Sequence, residues 1–381
     1  MAPEIALNLV PEAGSGRPLT ILDPMCGSGT VLTVAAERGH DATGVDLDPL
    51  AVLMSKVATN PLDMDKCEQT REQVVTAAKS DRKRRMPWSD NETTKFAEYW
   101  FGGPQRLQLA RLARAIDGLP SGPLRELAQV SLSRTIITKT PRASLAADTS
   151  HSRPHRVTES SDYEVIKGFE QSFLSLTRLL AKRMPARHAR VILDDCRRLT
   201  TIEDATIDLA ITSPPYLNAI DYMRGHKLAL IWLGYTIPEL RSIRSTSIGA
   251  ERALDGNTAA KSTELVATIV QEAANPDLLP YATLTRYSND LLQFARQMKR
   301  VIRRTGTLVV VIGNSTLRGN FIRNETLVKG ALQHYGFSIE NRVERELPDN
   351  RRYLPIGGIA QASPIARRMR TESVLQFDLA E

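Results

Sequence analysis

The sequence predicts an α/β protein built on a Rossmann-like, largely parallel sheet that a mostly helical insertion interrupts. Three observations predict it. A Gly-rich turn joins a short β-type run to a helix near the N-terminus; several short, almost wholly apolar runs return in the second half; and a basic, helix-compatible stretch separates the two.

Leu19 to Asp23 reads as a strand, and Thr30 to Arg38 as a helix that stops at Gly39. A second strand runs through Ala42 to Val45 and ends at Asp46. Pro49 to Thr59 then has helical spacing, which Asn60-Pro61 breaks. From Leu62 to Pro185 the chain is basic and helix-compatible, punctuated by Pro-Trp, Gly-Gly-Pro and Ser-Gly-Pro, and is expected to be an inserted module. Strand character resumes at Val191 to Leu193, Leu209 to Thr212 and Thr307 to Ile312, with helical spacing of apolar residues between Tyr281 and Arg304. Two further strands near Phe337 to Val343 and Ser373 to Phe377 are placed to close the sheet as a hairpin. The expected division is therefore a catalytic domain of residues 1–61 and 186–381 around a helical module of residues 62–185.

With 42% hydrophobic residues, the 381-residue chain can bury a sizeable core, and no apolar run is long enough for a membrane span. The N-terminus lacks a basic segment followed by an apolar one, so a cytoplasmic location is expected. Cys26, Cys67 and Cys196 lie far apart, which argues against a disulfide framework and against a zinc site. A net charge of +7 favours an anionic partner, because Lys and Arg can neutralise phosphates and release their counterions.

Asp23-Pro24-Met25-Cys26-Gly27-Ser28-Gly29-Thr30 lies where the first strand turns into a helix, and its glycines let the backbone approach a nucleotide-like cofactor. Asp46, at the end of the next strand, stands where a carboxylate accepts hydrogen bonds from ribose hydroxyls. The third glycine of a dinucleotide fingerprint is missing, since Leu32 follows Gly27 and Gly29. An acidic Asp23 would also repel a pyrophosphate, whereas it suits the sulfonium and amino group of S-adenosylmethionine (AdoMet). Asp195-Cys196, after the third strand, is the expected contact for the adenine amino group; a surface Asp pair ending a strand is the plainer alternative.

Thr212-Ser213-Pro214-Pro215-Tyr216 follows another buried strand, and its double proline forces a rigid, extended exit that exposes carbonyls. An exocyclic base amine is a poor nucleophile because its lone pair is conjugated with the ring. Acceptors aimed at its N–H groups, here Ser213 and the Pro214 carbonyl, draw it toward tetrahedral geometry. Tyr216 offers a face for an extruded base.

Together these two motifs resemble those of the amino-group DNA methyltransferases. The resemblance implies a seven-stranded methyltransferase sheet, AdoMet held by the first motif, DNA as partner, and a catalytic role for Ser213, Pro214, Pro215 and Tyr216. Ser-Pro-Pro-Tyr resembles the N4-cytosine version, whereas Asp-Pro-Pro-Tyr is more typical of N6-adenine enzymes. Asn218, Asp221 and Tyr222, just beyond the motif, are further candidates for contacting the base. RNA guanine-N2 methyltransferases share similar motifs but usually carry Asp or Asn before Pro-Pro and an appended RNA-binding domain. A catalytically silent AdoMet- or DNA-binding subunit is the third alternative. The family usually has a cofactor-binding segment before the Gly-rich motif, yet only about eighteen residues precede the strand that leads into it here, so that segment is expected to be absent, relocated or supplied by another chain. A homodimer, a second subunit and a cognate restriction endonuclease stay open as partners.

Within the insertion, Arg82-Lys83-Arg84-Arg85 lies near Trp88, Phe96, Tyr99, Trp100 and Phe101, with Arg106, Arg111 and Arg114 following at near-helical spacing. Arg82, Arg84 and Arg85 are candidate DNA contacts, as are Arg241 and Arg244 after the second motif. The alternative is that the aromatics form a small helical core and the charges are solvated. His226 is expected to be structural.

Overall fold

A computed structural model describes residues 3–13, 16–138, 141–147, 154–183, 185–217, 222–249, 259–346 and 371–380. Seven strands make one sheet: β1 (Thr20–Asp23), β2 (Asp41–Asp46), β3 (Ala189–Leu193), β4 (Ile207–Thr212), β5 (Ile302–Gly313), β6 (Phe337–Glu346) and β7 (Thr371–Leu379), in the order β3-β2-β1-β4-β5-β7-β6. The five strands from β3 to β5 pair in parallel, and β7 enters antiparallel between β5 and β6. This is the Rossmann-like methyltransferase sheet that the two motifs imply. The hairpin expected at the C-terminus is present as β6 and β7, and it is β7 that joins the sheet to β5.

The local chemistry of the sequence explains why the elements begin where they do. Helix α1 (Pro3–Leu9) precedes the sheet, and α2 (Thr30–Glu37) follows Gly29, which takes a left-handed conformation at φ 81°. Helix α3 (Pro49–Thr59) starts with Pro at its first position, and the Asp48 carboxylate accepts from Leu50 N at 2.9 Å. Residues 62–185 contribute α4 (Met64–Ser80), α5 (Asn91–Trp100), α6 (Gly103–Asp117), α7 (Pro123–Ile136) and α8 (Val165–Leu180), of which α4 and α5 are capped by Asp63 and Asp90. After β4 come α9 (Met223–Leu230) and α10 (Ile237–Ser245), the latter opened by a Thr236–Glu239 capping box. Helices α11 (Ala259–Glu272), α12 (Tyr281–Val301) and α13 (Asn324–His334) complete the chain.

Apolar burial falls into three bodies. One, between the sheet and α11 to α13, holds Leu292, Phe294, Leu308 and Phe377. A second lies on the opposite face of the sheet, around Ile21, Val31, Leu32 and Ile211. The third joins α4 to α8 with Leu50 and Val57 of α3 and with Leu228, Trp232 and Leu240 of the segment after β4. No helix among the described residues is long and apolar enough to cross a membrane.

Candidate active site

The strand order reverses direction between β1 and β4, so the loops that follow these two neighbours diverge at the carboxyl edge of the sheet. Such a switch point is where open α/β sheets bind ligands. Both motifs lie there. Ile21 pairs with Leu209 and Leu22 with Ala210, which brings Asp23 and Thr212 side by side at the strand ends.

The first motif folds into a tight turn between sheet and helix. Cys26 N donates to Val45 O at 2.9 Å and Gly29 N to Cys26 O at 2.8 Å. Gly27, at φ 53°, has open space where a Cβ would stand. By contrast, a Cβ on Gly29 would press on Ser55 of α3 at 2.9 Å. Ser55 also donates to the Gly27 carbonyl at 2.9 Å, so α3 braces the turn from behind. Pro24 is buried, and Thr30 opens α2. Cys26 is buried and its thiol is held well above the usual range by burial, so it serves as packing rather than as a nucleophile.

Asp46 carries the turn. One carboxylate oxygen accepts from Gly27 N at 2.8 Å and the other from Asp48 N at 2.9 Å. A carboxylate has about four acceptor positions, so Asp46 retains capacity for ribose hydroxyls. Beside it, Asp48 meets His226 Nδ1 at 2.5 Å, giving His226 of α9 a structural partner on the cofactor side. Burial raises Asp46 to about 6 and Asp23, only 4% exposed, to about 7. The pair makes a buried acidic floor suited to a cation and hostile to a pyrophosphate. Next to it, a cleft of about 160 Å³ opens at the ends of β2 and β3, lined by Leu47, Leu193, Asp194, Asp195, Arg198 and Thr246. Acidic floor, open Gly27 and adjoining cleft together fit AdoMet.

Asp195 lines that cleft but is committed. Its carboxylate accepts from Arg197 N and Nε at 2.9 Å and from a terminal guanidinium nitrogen at 2.6 Å. Arg197 is 6% exposed; it also pairs with Asp290 of α12 and donates to the Thr246 carbonyl, while Gly249 N donates to Asp290 at 2.7 Å. Cys196 is buried in the core below the cleft. Sequence reasoning missed Arg197, although an Arg directly after Asp-Asp-Cys was the available signal.

In the second motif Pro214 is buried, Pro215 exposed, and Ser213 and Tyr216 half-buried. The Pro215 carbonyl accepts from the buried Tyr287 hydroxyl of α12 at 3.0 Å. The Tyr216 ring lies so close to Gly313 at the end of β5 that a Cβ there would meet Cε2 at 2.8 Å. Ser315 donates to the Leu217 carbonyl, and Asn324 Nδ2 donates to Gly313 O at 2.8 Å and to Ser315 Oγ at 2.7 Å. Tyr287, Ser315 and Asn324 thus hold the motif's exit path. Nothing at their positions in the sequence marked them. Asn218 and Asp221 lie outside the described residues. Tyr222, at the start of α9, is 53% exposed.

The helices of residues 62–185 pack on the segment after the second motif. Trp232 meets Trp88 edge-on at 4.9 Å and Phe101 at 5.3 Å, and Thr93 Oγ1 accepts from Ile237 N at 2.9 Å. Phe96 and Trp100 also pack on this core, whereas Tyr99 is exposed with Arg156 over its ring at 5.2 Å. Arg241 pairs with Glu92 and Arg106 with Glu98. Arg244 sits in the last turn of α10. The exposed run Arg82 to Arg85 lies between α4 and α5.

A protein-family model described as "UPF0020: RMKL-like, methyltransferase domain" matches residues 1–86, which include the Gly-rich turn and Asp46. The Type II methyltransferase M.BsoBI of Geobacillus stearothermophilus is 24% identical over 276 residues, 64% of this chain and 53% of its own length. The chain therefore spans about half the length of that relative. Among solved structures, a SAM-dependent methyltransferase from Methanosarcina mazei is similar with a TM-score of 0.36 and 10% identity, over 100% of this chain and 99% of that one. A TehB-like SAM-dependent methyltransferase from Corynebacterium glutamicum has a TM-score of 0.32 and 11% identity, over 99% and 86%. Strand order and site, rather than these superpositions, identify the fold. S-adenosylmethionine is the expected cofactor, and the family match supports AdoMet-dependent methyl transfer.

Proposed function

We propose that this chain is a DNA methyltransferase that transfers the AdoMet methyl group to the exocyclic N4 amine of a cytosine turned out of the duplex. The observation that carries the reading is the convergence of the two motifs at one switch point, with Thr212 against Asp23. Support for DNA comes from the Ser-Pro-Pro-Tyr resemblance, from the relative named as a Type II methyltransferase, and from the net charge of +7.

Bound AdoMet supplies a methyl group made electrophilic by its sulfonium. The chain's own residues hold it and prepare the amine. Asp23 and Asp46 provide negative charge under the cofactor, Gly27 gives the backbone room, and Leu47 and Thr246 flank the cleft. On the target side, Ser213 Oγ and the Pro214 carbonyl accept from the amine's N–H groups and draw its lone pair out of conjugation. Tyr216 stacks on the extruded base, worth about 1–3 kcal/mol against an unstacking cost of a few kcal/mol. The bond from Tyr287 takes up the Pro215 carbonyl, so the strand presents Pro214 in one fixed direction.

The test is transfer of labelled methyl from AdoMet to unmethylated genomic DNA and to total RNA, followed by mass spectrometry of the nucleosides. N4-methylcytosine from DNA is expected, and Tyr216→Ala should abolish it while leaving AdoMet affinity within about twofold. N6-methyladenine would correct the base, and label in RNA guanine alone would replace DNA with RNA. AdoMet binding without transfer to either polymer would leave a silent subunit.

A further inference from the structure

The loop from α4 to α5 carries Arg82, Lys83, Arg84 and Arg85, all exposed, and none of them is ion-paired with a carboxylate among the described residues. Adjacent cations repel, so charge alone does not favour holding them together on one path. Here the path is fixed from beneath. Arg114 of α6 donates Nε to Asp81 at 2.7 Å, one terminal nitrogen to the Lys83 carbonyl at 2.9 Å and the other to the Arg85 carbonyl. Lys83 N donates to Asp81 at 2.7 Å and Arg82 to the Lys79 carbonyl at 3.1 Å. The strap then reaches Trp88, whose Nε1 donates to Thr94 Oγ1 at 3.2 Å and whose ring meets Trp232.

This arrangement works against the electrostatics of the isolated chain. A further cation, Arg114, is placed under the four, and two of its nitrogens hold backbone carbonyls. The carboxylate it does engage, Asp81, lies at the strap's root, where it also attracts Lys83. The result is a run of exposed cations on a fixed backbone, with the ordering cost already met before any ligand arrives. Through Trp88 and Trp232 it is tied to the segment that follows Ser213 to Tyr216.

We propose that the strap 82–85, braced by Arg114, is a contact surface for the phosphate backbone of duplex DNA, positioning it for the switch-point site. The proposal rests on the reading of the chain as a DNA methyltransferase.

The experiment compares wild type with the fourfold variant Arg82→Gln, Lys83→Gln, Arg84→Gln, Arg85→Gln. Affinity for a short fluorescent duplex is measured across a salt series, and AdoMet affinity beside it. All four side chains are exposed, so the variant should fold and bind AdoMet as wild type does. Its duplex affinity should fall at least about tenfold at low salt, and the slope of log affinity against log salt should flatten by about 0.9 for each phosphate no longer neutralised, roughly 2 to 4 in all. Arg114→Met keeps the four cations but releases the strap, and should weaken duplex binding several-fold while the salt slope stays near wild type. If wild type binds and methylates duplex while the fourfold variant keeps its affinity and slope, the strap is a solvated face and only this proposal falls. Strap-dependent binding to structured RNA with none to duplex would overturn the partner. Wild type that neither binds nor methylates duplex would sink the DNA reading, and the strap's assignment with it.

Discussion

At the scale of single residues, the site is governed by carboxylates that the fold buries before any ligand is present. Burial holds Asp23 at about 7, partly offset by the Met25 N–H, so below neutrality the folded chain keeps a proton there. The unfolded chain releases that proton near the ordinary value for Asp. Between about pH 4 and 7 the folded state is therefore the better proton binder, and this contribution to stability is lost as pH rises toward 7. A cationic cofactor favours the ionised form. AdoMet affinity should accordingly rise by about tenfold or more from pH 5.5 to pH 8, and Asp23→Asn should flatten that profile; calorimetric titration at the two pH values checks it. Asp195 behaves differently, because its carboxylate is committed to Arg197. Asp195→Ala leaves the buried guanidinium with one carboxylate instead of two and should cost about 3 kcal/mol of stability, read by denaturant melts. A stability change below about 1 kcal/mol would show that Asp290 and the Thr246 carbonyl suffice for Arg197. Sequence alone marked Asp23, Asp46 and Asp195 by their places after strands. It did not show that Arg197 claims one of them: the Arg two residues on was a local hint, but its contacts with Asp290 of α12 and the Thr246 carbonyl, which lock it in place, have no local signature.

At the scale of elements, the parallel strands and the helices beside them were legible because period and punctuation agree: the helical spacing of Pro49 to Thr59 is broken by Asn-Pro, and α3 has those limits. The exception is instructive. Helical spacing ran on to Arg304, yet α12 stops at Val301 and β5 begins at Ile302, where Ile302 pairs with Ile207. Long-range strand pairing overrode a local preference. Helix α12 also supplies what the second motif lacks by itself. A double proline stiffens the chain but does not aim it, and the Tyr287 hydroxyl fixes the Pro215 carbonyl. Tyr287→Phe removes one hydroxyl from a packed ring and leaves that carbonyl without its donor. It should lower kcat about tenfold with little change in the AdoMet dissociation constant, a split that stopped-flow or single-turnover kinetics resolves. Unchanged kcat would assign the bond to stability alone.

At the scale of the whole molecule, residues 62–185, expected from the sequence as an inserted module, do not pack as a body of their own. Their helices share one apolar body with Leu50 and Val57 of α3 and with Leu228, Trp232, Ile237 and Leu240 after the second motif. Trp232 is 1% exposed, and the rings of Trp88 and Phe101, both N-terminal to β3, pack against it. The same helices carry the basic strap, so one core links the helix that braces the Gly-rich turn, the exit from the Ser-Pro-Pro-Tyr motif and the surface proposed to meet DNA. A separable recognition bead would leave a folded catalytic sheet behind when removed. This packing predicts otherwise: replacing residues 62–185 with a short linker should strip Trp232 and its neighbours of their cover, each large side chain losing about 1.5–3 kcal/mol of burial. The shortened chain should then aggregate, or melt without cooperativity and fail to bind AdoMet, even though Asp23, Gly27, Asp46 and the Ser-Pro-Pro-Tyr motif are all retained. Thermal melts and AdoMet titration of the shortened chain decide the matter. A soluble, cooperatively melting product that binds AdoMet like the full chain would mean that residues 1–61 and 186–381 fold on their own, and that the shared core is an interface rather than a foundation.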